Sequence, residues 1–318
     1  MKKCFFFVAL LMATNVMAQG IFWDNEEGSQ DYMIPLDTVS LHNLELKGKV
    51  KSVTSQLFKA VVRNGKVEEG DKCPDDFAYV DSDSPESPVT EYSYAYDNKG
   101  RMTRSLVMKY LTTYQYDGQG RLVRRVNQNQ DEDISAEYRP EKTVVFHYGA
   151  DGNISSADFS ENNKLTHRER YRYDSRNNLI AVTTLDKNNT TVSTLTARFE
   201  YDSKGRLTLK EFKEPGYQPR SVHYTYDKNG KIATVTSTDR NGDTNTWEGD
   251  EEVDSKPIYL FGVPTYRDGM IVEWKPEADS DEVYMYSFVY DDYGNWIKYI
   301  EYKNQQPTIV QKRTITYY

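Results

Sequence analysis

The chain has 318 residues, 40 Lys plus Arg against 49 Asp plus Glu, a formal charge of −9, two Cys, four His, and 26 Tyr within a hydrophobic fraction of only 37%. The acidic balance argues against nucleic acid as a partner, because phosphate recognition needs a clustered basic surface, and two Cys build neither a disulfide framework nor a cysteine-type zinc site. The four His (His42, His147, His167 and His223) are too scattered to promise a metal centre or a nucleophile triad, so catalysis is disfavoured, although a site made only of carboxylates survives the count.

In chain order, Lys2 and Lys3, the apolar run Cys4 to Ala13, and Val16 and Ala18 at the −3 and −1 positions read as a secretory signal peptide over residues 1–18, cleaved near Ala18. The expected location is outside the cytoplasm: periplasm, cell surface or medium. A hydrocarbon core of ~30 Å needs roughly 20 consecutive apolar residues, so neither this run nor any later one predicts a transmembrane span. Losing Lys2 and Lys3 takes the charge from −9 to −11 and leaves Cys73 as the one thiol, either an inert loop residue or a point of intermolecular pairing. Residues 19–40, acidic and sparse in apolar side chains, read as a mobile leader, and 41–318 as a single β-sheet domain. Val50 to Val62, Asn64-Gly65 and Lys66-Val67 predict a leading hairpin. Asp71 to Pro88, with Pro74, Pro85 and Pro88, predicts a long loop over roughly 70–90.

From Tyr94 onward one phrase recurs seven times, anchored on Tyr96, Tyr116, Tyr148, Tyr173, Tyr201, Tyr226 and Tyr290. Two residues before the anchor stands an aromatic in every copy (Tyr94, Tyr114, Phe146, Tyr171, Phe199, Tyr224, Phe288). Directly after it comes Asp, except at Gly149. Four after it comes Gly, except at Asn177, and six after it an apolar residue, Met102 in the first copy and Trp296 in the last. Aromatic-x-Tyr is the period-two alternation of a strand with one buried face. Asp-x-x-Gly fits a type I turn closed by a left-handed residue and a bulge, and Asn at one Gly position agrees with this. Each copy therefore predicts a β-hairpin with three apolar side chains on one face. Asp239 to Lys256 reads as a second long loop, over 239–256. Tyr266 to Ile271 reads as a shortened hairpin, and Trp296–Tyr302, a turn at Gln305-Gln306-Pro307, and Ile309–Tyr317 as a closing pair. The fold class expected is all-β: sixteen or more strands in tandem antiparallel hairpins, forming an elongated, twisted and curled single sheet, an open strip or partial barrel, with little helix beyond the signal peptide.

The phrase Tyr-x-Tyr-Asp-x-x-Gly-Arg-Leu, complete from Tyr114 to Leu122 and nearly so from Phe199 to Leu207, resembles the YD repeat of the Rhs family, which also occurs in large bacterial toxins and teneurins. The resemblance covers roughly residues 90–300. It implies a strip of β-sheet that spirals, in larger relatives, into a shell, and for some members a link to carbohydrate binding or to enclosing a toxin. This chain has too few units for a large shell and is closer to small exported bacterial YD-repeat proteins without a toxin domain.

Several constellations carry possible chemistry. The recurring Asp (Asp97, Asp117, Asp174, Asp202, Asp227, Asp291) is explained by turn formation without any ligand. Asp239 to Asn245 has alternating oxygen side chains but lacks the Gly that a calcium loop places sixth, so no metal is expected. No nucleophile motif, phosphate-cradling loop or cofactor motif appears, and the chain is expected to be no enzyme and to take no cofactor. The repeat aromatics read as core, with a ligand platform as the alternative, while Trp247, Trp274 and Trp296 are the candidate binding residues, because sugar rings stack on aromatic faces. The functional expectation is a non-enzymatic exported binding or scaffold protein for glycan or another envelope protein. The alternatives are an edge-strand assembly module or a carbohydrate-active hydrolase using loop acids such as Glu248 and Asp250.

Overall fold

The computed structural model describes residues 46–73, 91–107, 109–248, 263–267, 270–275 and 281–318. The signal peptide, the leader, most of the loop expected at 70–90 and the later part of the one expected at 239–256 lie outside these residues. What is described is all-β. The strands are β1 (Val50–Arg63), β2 (Lys66–Lys72), β3 (Glu91–Tyr96), β4 (Met102–Val107), β5 (Tyr110–Tyr116), β6 (Leu122–Asn129), β7 (Lys142–Tyr148), β8 (Ile154–Glu161), β9 (Lys164–Tyr173) and β10 (Leu179–Asp186). They continue as β11 (Thr191–Tyr201), β12 (Leu207–Lys213), β13 (Arg220–Tyr226), β14 (Ile232–Thr238), β15 (Thr244–Glu248), β16 (Val263–Arg267), β17 (Met270–Lys275), β18 (Tyr284–Tyr290), β19 (Trp296–Lys303) and β20 (Gln306–Tyr317). These twenty strands belong to one antiparallel sheet, not closed into a barrel, and one 3-10 turn, Ala136–Tyr138, is the only helical segment among the described residues. No helix among them is long and apolar enough to cross a membrane.

The repeated turn has one construction. In the first copy the Asp97 amide donates to Arg101 O (2.9 Å) and the Gly100 amide to Asp97 O (3.0 Å), with Gly100 at φ 79°. Asp97 Oδ1 accepts the amides of Lys99 (2.9 Å) and Arg101 (3.0 Å), and Oδ2 accepts Arg101 Nε (2.7 Å). The ladder slips by one residue beside the turn, between Ala95 and Tyr96, as a bulge requires. Asn177, standing in for Gly, takes φ 68°. Gly149 lacks the turn carboxylate, and Asp151 Oδ1 lies 2.7 Å from where a Cβ on Gly149 would stand, so a carboxylate from two residues on fills the space.

Two further turns share this construction without the flanking aromatics. Asp186 Oδ1 accepts the amides of Asn188 and Thr190, and Asp239 Oδ1 those of Asn241 and Asp243. The start of the expected 239–256 loop is thus another Asp turn followed by β15, because the turn needs only the carboxylate and a residue able to adopt positive φ. The leading hairpin turns at Asn64 and Gly65, both at positive φ, as expected. The closing pair turns at Asn304-Gln305 (φ 49° and 67°), one residue before the turn that Pro307 suggested.

By proximity the chain falls into two compact units, each considered by itself: residues 116–125 with 142–248, and residues 46–115, 126–141 and 263–318. In the first, β7 to β15 pair only with sequence neighbours. Val144, Phe146, Ala157, Phe159, Tyr171 and Val182 are among its core residues, while the residues between the column aromatics (His147, Arg172, Glu200, Thr225) are exposed. In the second, β1 is central. One edge pairs with β20 along Val50 to Lys59, and the other with β3 and then β2. Val50, Val53, Ser55 and Leu57 are accordingly 1% exposed.

Within the first unit successive turns are coupled. The Arg121 guanidinium, held by Asp117, lies 4.4 Å from the ring centroid of the next anchor, Tyr148, whose hydroxyl donates to Leu122 O (2.9 Å). Arg206, held by Asp202, lies 4.2 Å from Tyr226, whose hydroxyl donates to Leu207 O (2.7 Å). Replacing Asp97 by Ala removes three hydrogen bonds accepted by a carboxylate, one of them from a guanidinium, and is expected to cost about 1–2 kcal/mol. Asp97→Asn, which keeps the Oδ1 acceptor, should cost less than half of that in urea denaturation.

Candidate functional site

Every turn carboxylate is engaged. Asp97 is held below the usual carboxylate range: partial burial opposes the charge, but hydrogen bonds from the Arg101 side chain and from the Arg101 and Lys99 amides outweigh it. Asp117 and Asp202 are held down first by the backbone amides of Arg121 and Arg206. Asp239, in the segment weighed as a calcium loop, accepts the amides of its own turn.

Of the candidate binding residues, Trp247 lies opposite Val235 in register and Trp274 opposite Tyr284 and Pro264; their side chains fall outside the described residues. Trp296, first residue of β19, is half-buried against the cluster Tyr284, Tyr286 and Tyr299. The Arg313 guanidinium of β20 covers its ring, 3.3 Å from the centroid. Arg313 Nε donates to the Tyr92 hydroxyl, and Tyr92 stacks on Tyr94 with centroids 4.9 Å apart. Nearby on β20, Gln311 Nε2 donates to Ser55 Oγ (2.8 Å). On β4 and β5, the Ser105 and Tyr114 hydroxyls approach to 3.4 Å. Burial lowers the Arg313 pKa, opposed by the neighbouring tyrosines, and pushes the Tyr94 hydroxyl up to about 12. The site thus sets a guanidinium cation among neutral phenols and an indole. Neither Arg313 terminal amino group has a hydrogen-bond partner among the described residues, nor does the guanidinium pair with a carboxylate there.

A second unusual group lies in the first unit. Glu169 on β9, 1% exposed, stands opposite Ala157 on β8 and Thr184 on β10. The Tyr171 hydroxyl donates to Oε2, while Oε1 is buried without a partner. Burial raises the Glu169 pKa to about 7 against the hydrogen bond from Tyr171, and Tyr171 itself is pushed far up. In the second unit Glu301, 5% exposed, has its own counterpart: the Tyr299 hydroxyl at 3.3 Å and the Thr308 hydroxyl at 2.8 Å. Cys73 is 3% exposed and its thiol pKa is raised by burial, which suits the inert reading better than pairing with another chain.

No protein-family model matches the chain, and no curated protein matches it. Among solved structures it is similar to the Tc holotoxin pore of Photorhabdus luminescens, at 13% identity over 79% of this chain and with a TM-score of 0.36. The chain spans 15% of the length of that toxin chain. It is also similar to porin-like proteins from Bacteroides uniformis (11% identity, 85% of this chain and 99% of that chain, TM-score 0.27) and Bacteroides vulgatus (10%, 85% and 98%, 0.28).

Because the folded pKa of Glu169 lies above its unfolded value, folding favours the protonated form. That stabilisation is complete below about pH 4.5 and is lost as pH rises toward and through 7. Urea midpoints should fall between pH 5 and pH 8. Glu169→Gln should flatten the profile, with a gain over the parent at pH 8 on the order of 2 kcal/mol.

Proposed function

We propose that the chain is a non-enzymatic exported binding module of the YD-repeat kind, and that its ligand is a glycan or a glycan-bearing envelope partner. One observation carries this reading: on the face formed by β3, β1, β20 and β19, half-buried Tyr92, Tyr94 and Trp296 alternate with hydrogen-bonding groups and enclose the Arg313 cation. Interleaved rings and polar groups are what a sugar meets through its apolar faces and its hydroxyls. The hairpins supply rigidity, since their turns are pinned by side-chain as well as backbone hydrogen bonds.

The test is a glycan array combined with pull-down from envelope extracts. A micromolar ligand is expected, with at least fivefold weaker binding by Tyr94→Ala and none of that loss in Tyr217→Ala, an exposed tyrosine of the other unit. Absence of any sugar or envelope partner at micromolar concentration would remove the reading.

A further inference from the structure

We propose that Arg313 is an anion-binding subsite of this face and that it receives the carboxylate of an acidic sugar, a uronate. The inference rests on the binding-module reading and deepens it. Arg124, also partly buried, meets only the Thr143 hydroxyl among the described residues, but several others meet acids: Arg101 meets Asp97, Arg121 meets Asp117, Arg168 meets Asp158, Arg206 meets Asp202 and Arg220 meets Glu214. Arg313 has none among the described residues, although it is set among Tyr92, Tyr94, Tyr96 and Trp296. A cation withdrawn from water without a counter-charge is costly, and an incoming anion removes that cost.

The geometry also selects the kind of anion. Nε is committed to Tyr92 and the guanidinium carbon sits over the indole, so the group is held in place and its terminal amino pair is left to bind. Two parallel N–H donors match the two oxygens of a carboxylate. The adjoining Tyr92–Tyr94 stack offers a sugar ring an aromatic face that an extended acidic peptide would not use.

Calorimetry with trigalacturonate, neutral galactotriose and hexaglutamate tests this directly. Trigalacturonate is expected to bind at least tenfold more tightly than galactotriose and hexaglutamate. Arg313→Gln should erase that advantage while leaving any galactotriose affinity in place. Arg313→Lys, which keeps charge but loses the fork, should fall between. If Arg313→Gln does not fold by circular dichroism, Tyr92→Phe serves instead: it leaves the guanidinium but frees Nε, and should weaken trigalacturonate about threefold without changing galactotriose. Equal binding of acidic and neutral sugars, or full retention by Arg313→Gln, overturns the subsite and leaves the binding module standing. Preference for hexaglutamate overturns the sugar assignment. Failure of trigalacturonate alone, when the array finds another glycan, overturns the subsite only; failure of every ligand overturns both.

Discussion

The contact between one turn and the next is what the repeat depends on. A turn Asp holds its own hairpin through two backbone amides, orients the arginine four residues later, and so presents a flat cation to the tyrosine that opens the following copy. That tyrosine returns a hydrogen bond to the previous hairpin. Each such ring–cation contact is worth only about 0.5–1 kcal/mol at a partly exposed site, and the Arg121–Tyr148 and Arg206–Tyr226 links each tie one hairpin to the next. A slip of one residue would move every aromatic to the wrong face. One exception keeps the contact by other means. Where Asn178 replaces the arginine, it accepts the hydroxyl of Tyr201 (3.2 Å), and Arg176, two residues earlier, takes over the stacking at 4.1 Å.

A face built from tyrosine explains how a chain of such low hydrophobic fraction forms a core. Phenol rings bury apolar area while their hydroxyls supply local donors, so polar side chains can lie on the same face. Ser55, Gln311, Glu169 and Glu301 do so at 6% exposure or less. Oε1 of Glu169 is the point where this provision stops, and its raised pKa is the physical trace.

The hairpins were legible because their information is local. Alternation, turn carboxylate and left-handed residue all fall within nine residues, and the leading Asn64-Gly65 and shortened 266–271 hairpins followed from the same chemistry. The turns at Asp186 and Asp239 were missed because they lack the aromatics that made the other copies conspicuous. Glu169 was hidden in the run Arg168-Glu169-Arg170, which looks like surface charge, although its parity with Tyr171 places it on the buried face. The candidate site was visible only in part. Trp296 stood out by residue type, but the Arg313 that covers it lies outside every repeat copy, and its neighbourhood with Tyr92 depends on a pairing between the two ends of the domain that no local pattern encodes.

That pairing also governs the order of folding. The meander of β7 to β15 closes only short loops, whereas β1 keeps one edge unpaired from Val50 to Lys59 until the distant strand beginning at Gln306 docks on it. Bringing Val50 and Tyr317 together closes a loop of nearly the whole domain, and the Tyr318 amide then bonds to Lys49 O and its hydroxyl to Tyr96 O. The last strand is therefore a latch. Until it is set, β1 offers a bare ladder to any other strand, including the same strand of a second molecule, and the interval before closure is the period in which this chain is most exposed to misassembly.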